Sequence, residues 1–165
     1  MKDLNPVDNY LHGSWEALGN AAPVLVALAQ ICSETWARSK RSESSPSELL
    51  EKLSPPAAAI LFAAKDRGII EIRAVNSAFD AAARLLAVYV EVDDERTIAF
   101  RDASNPAVTI EFLEGFRELC QLGLIMHHIY RDFSLTSDAL AAAKVIDRNQ
   151  VEELLAKATE FGLHD

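Results

Sequence analysis

A chain of 165 residues, half of them hydrophobic and a quarter charged, has the size and composition to fold around one sizeable core without metal or disulfide staples. Its formal net charge of −9 repels nucleic-acid backbones and anionic membrane surfaces unless its cations gather on one face. Cys32 and Cys120 stand far apart in apolar surroundings without CxxC spacing, so both read as buried reduced thiols rather than a metal site or a disulfide.

The start MKDLNPVDNY lacks the basic region of a signal peptide. The most apolar segment, AAPVLVALAQIC at 21–32, is shorter than the roughly 18 to 20 residues of a membrane span. A cytoplasmic, non-membrane protein is expected. Asn5-Pro6 reads as a cap and first turn of a short helix ending at Gly19-Asn20. Pro23 then opens a longer helix carrying Val24, Leu25, Leu28, Ile31, Cys32 and Trp36. Being apolar round much of its circumference, it is either the centre of the fold or one side of an oligomer. The serine-rich RSKRSESSPS at 38–47 has no apolar residue and reads as an exposed linker. The expected organisation is an N-terminal helical segment (1–38), a linker (39–46) and an α+β domain (47–165). Arg38, Lys40 and Arg41 form the densest positive cluster, read as a solvated loop rather than an anion site.

Ser47 is placed to cap a short helix to Leu53, which Ser54-Pro55-Pro56 stops before a second helix over 57–67. Gly68 ends that helix and Ile69–Arg73 reads as a strand; Leu119–Ile125 repeats the pattern with Gly123 in place of Gly68. Glycine takes a left-handed conformation at a helix end without a Cβ clash. The recurrence suggests a repeated helix–strand unit or two instances of the same stop chemistry. Between them, 86–92 and 97–101 alternate as a hairpin with one core face and an acidic tip at Asp93-Asp94-Glu95, which lacks the ligands of a calcium loop.

Asn105-Pro106 starts a helix to about Leu122 with an apolar stripe of Val108, Phe112, Phe116 and Leu119. Its other side carries Glu111, Glu114, Glu118 and Gln121, spaced to line up in solvent with Arg117 beside them. LIMHHIY and FSLT then form a short strand pair about Arg131-Asp132, and Thr136 or Ser137 caps a helix to about Ile146. Asp147 caps a last helix whose stripe is Val151, Leu154, Leu155, Ala158 and Phe161; it either docks on its own core or pairs with a second copy.

Helix, LGLI, strand pair and leucine-threonine helix start resemble the recognition helix and wing of winged helix-turn-helix proteins, similar to the MarR group, over about 105–146. In that group a glycine follows three residues after the threonine; here that position is Ala139. The resemblance implies that Glu111, Glu114 and Glu118 occupy groove-facing positions, where a DNA reader presents Arg, Lys, Asn or Gln. The wing offers only Arg131 and His128.

His12, His127, His128 and His164 show no ligand spacing, and the adjacent pair on a strand points to opposite faces. His128 near Asp132 suggests a pH-sensitive contact. No phosphate-cradling, dinucleotide or nucleophile-elbow motif occurs. Phe112, Phe116, Tyr130 and Phe133 read as core rather than as a ligand pocket.

These features point to a mainly helical α+β fold with a winged-helix-like unit, a β-hairpin and a short wing. The expected function is non-catalytic: a protein-interaction or regulatory adaptor without cofactor or metal. Partner binding falls to Glu111, Glu114, Glu118, Gln121, His128 and Arg131, and a homodimer through the first or last helix is the alternative contact. The rival readings are a winged-helix DNA regulator and an acidic antitoxin or inhibitor of a basic protein.

Overall fold

The structure is a computed structural model that describes residues 22–38, 44–74, 85–102 and 104–162. The first expected helix (6–19), Lys40, Arg41 and His164 lie outside them. The helices are α1 (Ala22–Arg38), α2 (Pro46–Glu51), α3 (Pro55–Ala63), α4 (Pro106–Gln121), α5 (Ser137–Lys144) and α6 (Arg148–Leu155). The strands are β1 (Ile69–Ala74), β2 (Leu86–Glu91), β3 (Arg96–Phe100), β4 (Ile125–Ile129), β5 (Asp132–Leu135) and β6 (Thr159–Gly162). The fold is α+β, with one antiparallel sheet in the order β4-β5-β1-β2-β3-β6. The sheet's share makes the fold less dominated by helix than the sequence suggests.

Local chemistry sets most element ends. Ser45, Ser54, Asn105, Thr136 and Asp147 each cap a helix by accepting a backbone N–H that has no partner within it. Two expectations shift here. The cap of α2 is Ser45 rather than Ser47, completed by Glu48 reaching back to the Ser45 N–H. Pro55 and Pro56 open α3 instead of separating it from its start, because proline's missing N–H costs nothing in a first turn.

Gly68 (φ +69°) and Gly123 (φ +73°) both take the left-handed conformation. At Gly123 the helix closes with two reverse bonds, Gly123 N–H to Cys120 O and Leu124 N–H to Leu119 O, before β4 begins. The two helix–glycine–strand units deliver β1 and β4 running in the same direction, with β5 between them.

Ile70, Ile72, Val88, Val90, Phe100, Ile125 and Phe133 point to the helices and share a core with Ile60, Phe112, Phe116 and Leu119. Phe100 packs on Phe112 at 4.8 Å between ring centroids, and Phe116 meets Phe133 edge-on at 5.2 Å. The expected single core face of the β2–β3 hairpin is only half the picture. Ala87, Tyr89 and Ala99 are buried on the opposite face, with the Arg73 guanidinium 4.8 Å from the Tyr89 ring.

The central helix is α3, not α1. Seven of the nine α3 residues are buried, and its alanines let α4, α5 and α6 pack closely around it. α1 buries Leu25, Leu28 and Cys32 in the same core while Val24 and Trp36 stay exposed. The first helical segment therefore shares its core with residues beyond the expected 39–46 boundary. The last helix stops at Leu155, shorter than its stripe predicts, and Thr159–Gly162 pairs with β3 as β6. Val151 is buried, and Leu154, Leu155 and Ala158 pack against the core, so α6 docks on its own chain.

Candidate functional site

α4 carries the residues singled out above. Thr109, Phe112, Gly115, Phe116, Leu119 and Cys120 turn inward, against α1, α3, β2 and β4. Glu111, Glu114, Arg117 and Gln121 are exposed, as the helical spacing requires. Among the described residues neither Glu111 nor Glu114 has an ion-pair partner within 4.0 Å.

Glu118 departs from the solvent stripe. It is partly buried, and its carboxylate accepts from both the backbone N–H (3.0 Å) and the hydroxyl of Ser54, the residue that caps α3. It is a structural tie between α4 and the start of α3. The hydrogen bond from Ser54 fixes this carboxylate more firmly than an exposed pair would, because it is charge-assisted.

The β4–β5 hairpin follows α4 directly, turning at Tyr130-Arg131 instead of Arg131-Asp132. Tyr130 adopts φ 52°, an uncommon conformation for a bulky side chain. The hairpin is joined to the sheet by β5 pairing with β1 and by Ile72 N–H donating to Arg131 O. Arg131 reaches Glu71 at 2.7 Å, and Glu71 also takes Arg73. The arginine expected at this tip is thus already engaged by a carboxylate.

His127 and His128 do face opposite ways. His128 Nε2 lies 2.7 Å from Ser134 Oγ, whereas His127 stacks near Phe133, with ring centroids 5.0 Å apart. His127 Nε2 sits 2.6 Å from the Tyr130 carbonyl oxygen; a carbonyl only accepts, so this nitrogen carries the hydrogen. Burial, followed by the neighbouring His128, pushes the His127 imidazole below its usual 6.5, outweighing Asp132. The unfolded chain therefore binds this proton at higher pH than the folded one. The corresponding stability is present above the usual imidazole value and is lost as pH falls through the lowered folded value. Thermal midpoints are expected to fall between about pH 7 and pH 5. His127→Gln keeps a donor for the Tyr130 carbonyl and is expected to flatten that part of the profile.

The acidic tip of the β2–β3 hairpin is paired internally. Arg96 Nε binds Asp93 at 2.7 Å, and Arg67 in the turn after α3 reaches both Glu91 and Asp94. Phe112, Phe116 and Phe133 are core rather than pocket wall. A groove of about 440 Å³ lies elsewhere, floored by Phe62, Ile98 and Leu155. Lys65, Arg96 and Arg148 on its rim are matched by Asp66, Glu152 and Glu160, so the rim selects neither sign of charge. Among the described residues no group of three or more His, Cys, Asp or Glu side chains is placed to hold a metal ion. No described helix is long and apolar enough to cross a membrane. No family model, curated protein or solved structure matches this chain.

Sequence reasoning missed Gly115, Ser54 and Glu71. Ser54 reads in sequence as part of the Ser54-Pro55-Pro56 stop, whereas it caps α3, and its tie to Glu118 joins residues 64 positions apart and leaves no local pattern. Of the six partner-binding candidates, Glu111, Glu114 and Gln121 share the exposed side of α4. His128 and Arg131 belong to the hairpin, and Glu118 is drawn toward α3.

Proposed function

We propose that the chain is a non-catalytic protein-interaction adaptor of the cytoplasm, built on a winged-helix-like unit in which α4 is the presenting helix and β4–β5 the wing. The observation that carries this reading is the pair of exposed carboxylates Glu111 and Glu114, unpaired among the described residues, on the side of α4 where a DNA reader needs cations. The engagement of Arg131 by Glu71 supports it further, since the wing then has little positive charge left for phosphate. The succession of α4, β4 and β5, with β5 held by β1, supports the winged geometry. The partner surface is accordingly basic. Arg38 is exposed but lies at the end of α1, and the DNA-regulator reading requires it to converge with residues outside the described ones.

A photo-crosslinking side chain at position 110, exposed on α4 one turn before Glu114, is expected to capture a discrete partner protein in native cell extract. Glu111→Lys with Glu114→Lys should abolish capture while changing stability by no more than about 0.5 kcal/mol, because both sites are exposed. Random duplex DNA should show no mobility shift with the unmodified protein at low salt. A salt-sensitive shift, or capture indifferent to the charge reversal, sinks the reading.

A further inference from the structure

We infer that Cys32 and Cys120 are a redox couple, closing to a disulfide between α1 and α4 when the protein meets a peroxide. Both thiols are free and fully buried where the two helices pack. Their backbones lie side by side: the Thr35 hydroxyl oxygen is 3.1 Å from the Cys32 carbonyl oxygen and 3.2 Å from that of Cys120. The crossing stays close into the next residues, because a Cβ built on Gly123 would stand 3.8 Å from Thr35 Cβ. At this crossing both cysteines are fully buried, one on each helix, with the single Thr35 hydroxyl between their carbonyl oxygens. A disulfide requires neighbouring backbones, and the shared Thr35 contact shows that this pair has them.

Burial first, then the Cys32 contact, pushes the Cys120 thiol well above its usual range. The docked Cys120 thiol is therefore held protonated, both sulfurs are shielded from solvent, and reaction passes through transient lifting of α1. Lifting carries Cys32 into solvent while Cys120 remains on α4. The exposed Cys32 sulfur attacks the peroxide: an S–O bond forms, the O–O bond breaks, and one water leaves with the thiol's proton, giving a sulfenic acid. On re-docking, the Cys120 thiol loses its proton and attacks the Cys32 sulfur. The S–S bond forms, the S–O bond breaks and a second water departs. Two thiols and one hydrogen peroxide thus give one disulfide and two waters. The product ties α1 to α4 and closes the loop from 32 to 120, restricting the unfolded chain.

The full chain is treated with stoichiometric hydrogen peroxide, then unfolded in an alkylating agent and weighed. The expected product is monomer-linked, lighter by two hydrogen atoms and unalkylated, with peptide mapping joining the segments that contain residues 32 and 120. Its thermal midpoint should rise and return to the starting value with dithiothreitol. Cys120→Ser should leave a sulfenic acid on Cys32 that dimedone traps. Two alkylatable thiols after peroxide, independent sulfinic acids on each cysteine, or crosslinks only between chains would each overturn the inference.

Discussion

Gly115→Ala is expected to destabilise the protein by about 3 kcal/mol, the upper end of the usual cost of overpacking. A Cβ at this position meets the Ala57 backbone nitrogen and Pro56 Cβ, each at 2.9 Å, and the Pro56 carbonyl carbon at 3.1 Å. Two of these three atoms are main chain at the first turn of α3, so no side-chain rotation relieves the contact. α3 would have to move off α4, and α3 is the helix around which α4, α5 and α6 pack. The sign is diagnostic. In a solvent-facing helix interior the same substitution stabilises by about 1 kcal/mol through helix propensity. Chemical denaturation reads the result directly: a lower midpoint at unchanged slope is expected, whereas an equal or higher midpoint would mean that α3 and α4 do not approach this closely. The Ser54–Glu118 tie lies at the same crossing and should weaken as α3 shifts, lowering the stability of the first turn of α3.

That crossing marks the boundary of what a single sequence carries. Residues acting within one turn were legible: Asn105 and Asp147 cap the helices they were expected to cap, Thr136 is the cap of α5 where Ser137 was the alternative, and Gly68 and Gly123 turn their helices into strands. The β2–β3 hairpin was equally plain, because alternation at a period of two is a local property. Gly115 carried no such mark. A glycine inside a helical pattern differs from any other only through what lies opposite, and the start of α3 is placed there by tertiary packing. Glu118 was misread for the same reason, since helical spacing assigns an angle about the axis but not the neighbour found at that angle. β6 failed differently: Phe161 continues the stripe of α6 in register, while the pairing that makes 159–162 a strand comes from β3, some sixty residues earlier in the chain. Of the candidate site, the exposed carboxylates at 111 and 114 were legible and the engagement of Arg131 by Glu71 was not, because that ion pair joins the β4–β5 turn to β1, far off in the chain.

Phe133→Ala is expected to cost about 3–5 kcal/mol, in the range of large-to-small changes in a packed core. Phe133 is almost fully buried on β5, opposite Ile70 of β1 and His127 of β4. Its ring receives Phe116 of α4 edge-on and His127 at 5.0 Å, so it is the point where the β4–β5 hairpin, the sheet and α4 meet. Removing it leaves a void between elements that cannot close independently, because β5 is fixed by its ladder and α4 by α3. Combining Phe133→Ala with Phe116→Ala separates the ring–ring contact from the burial of each ring. A coupling of about 0.5–1.5 kcal/mol is expected from the edge-on geometry. Additive losses would place the two rings in separate packing environments and remove the contact that sets the hairpin's angle to α4. The consequence extends to partner capture. If the hairpin is part of the contact surface, the single Phe133→Ala protein, measured where it is still folded, should crosslink less from position 110 although Glu111 and Glu114 are intact. Unchanged capture would confine the partner to α4 alone.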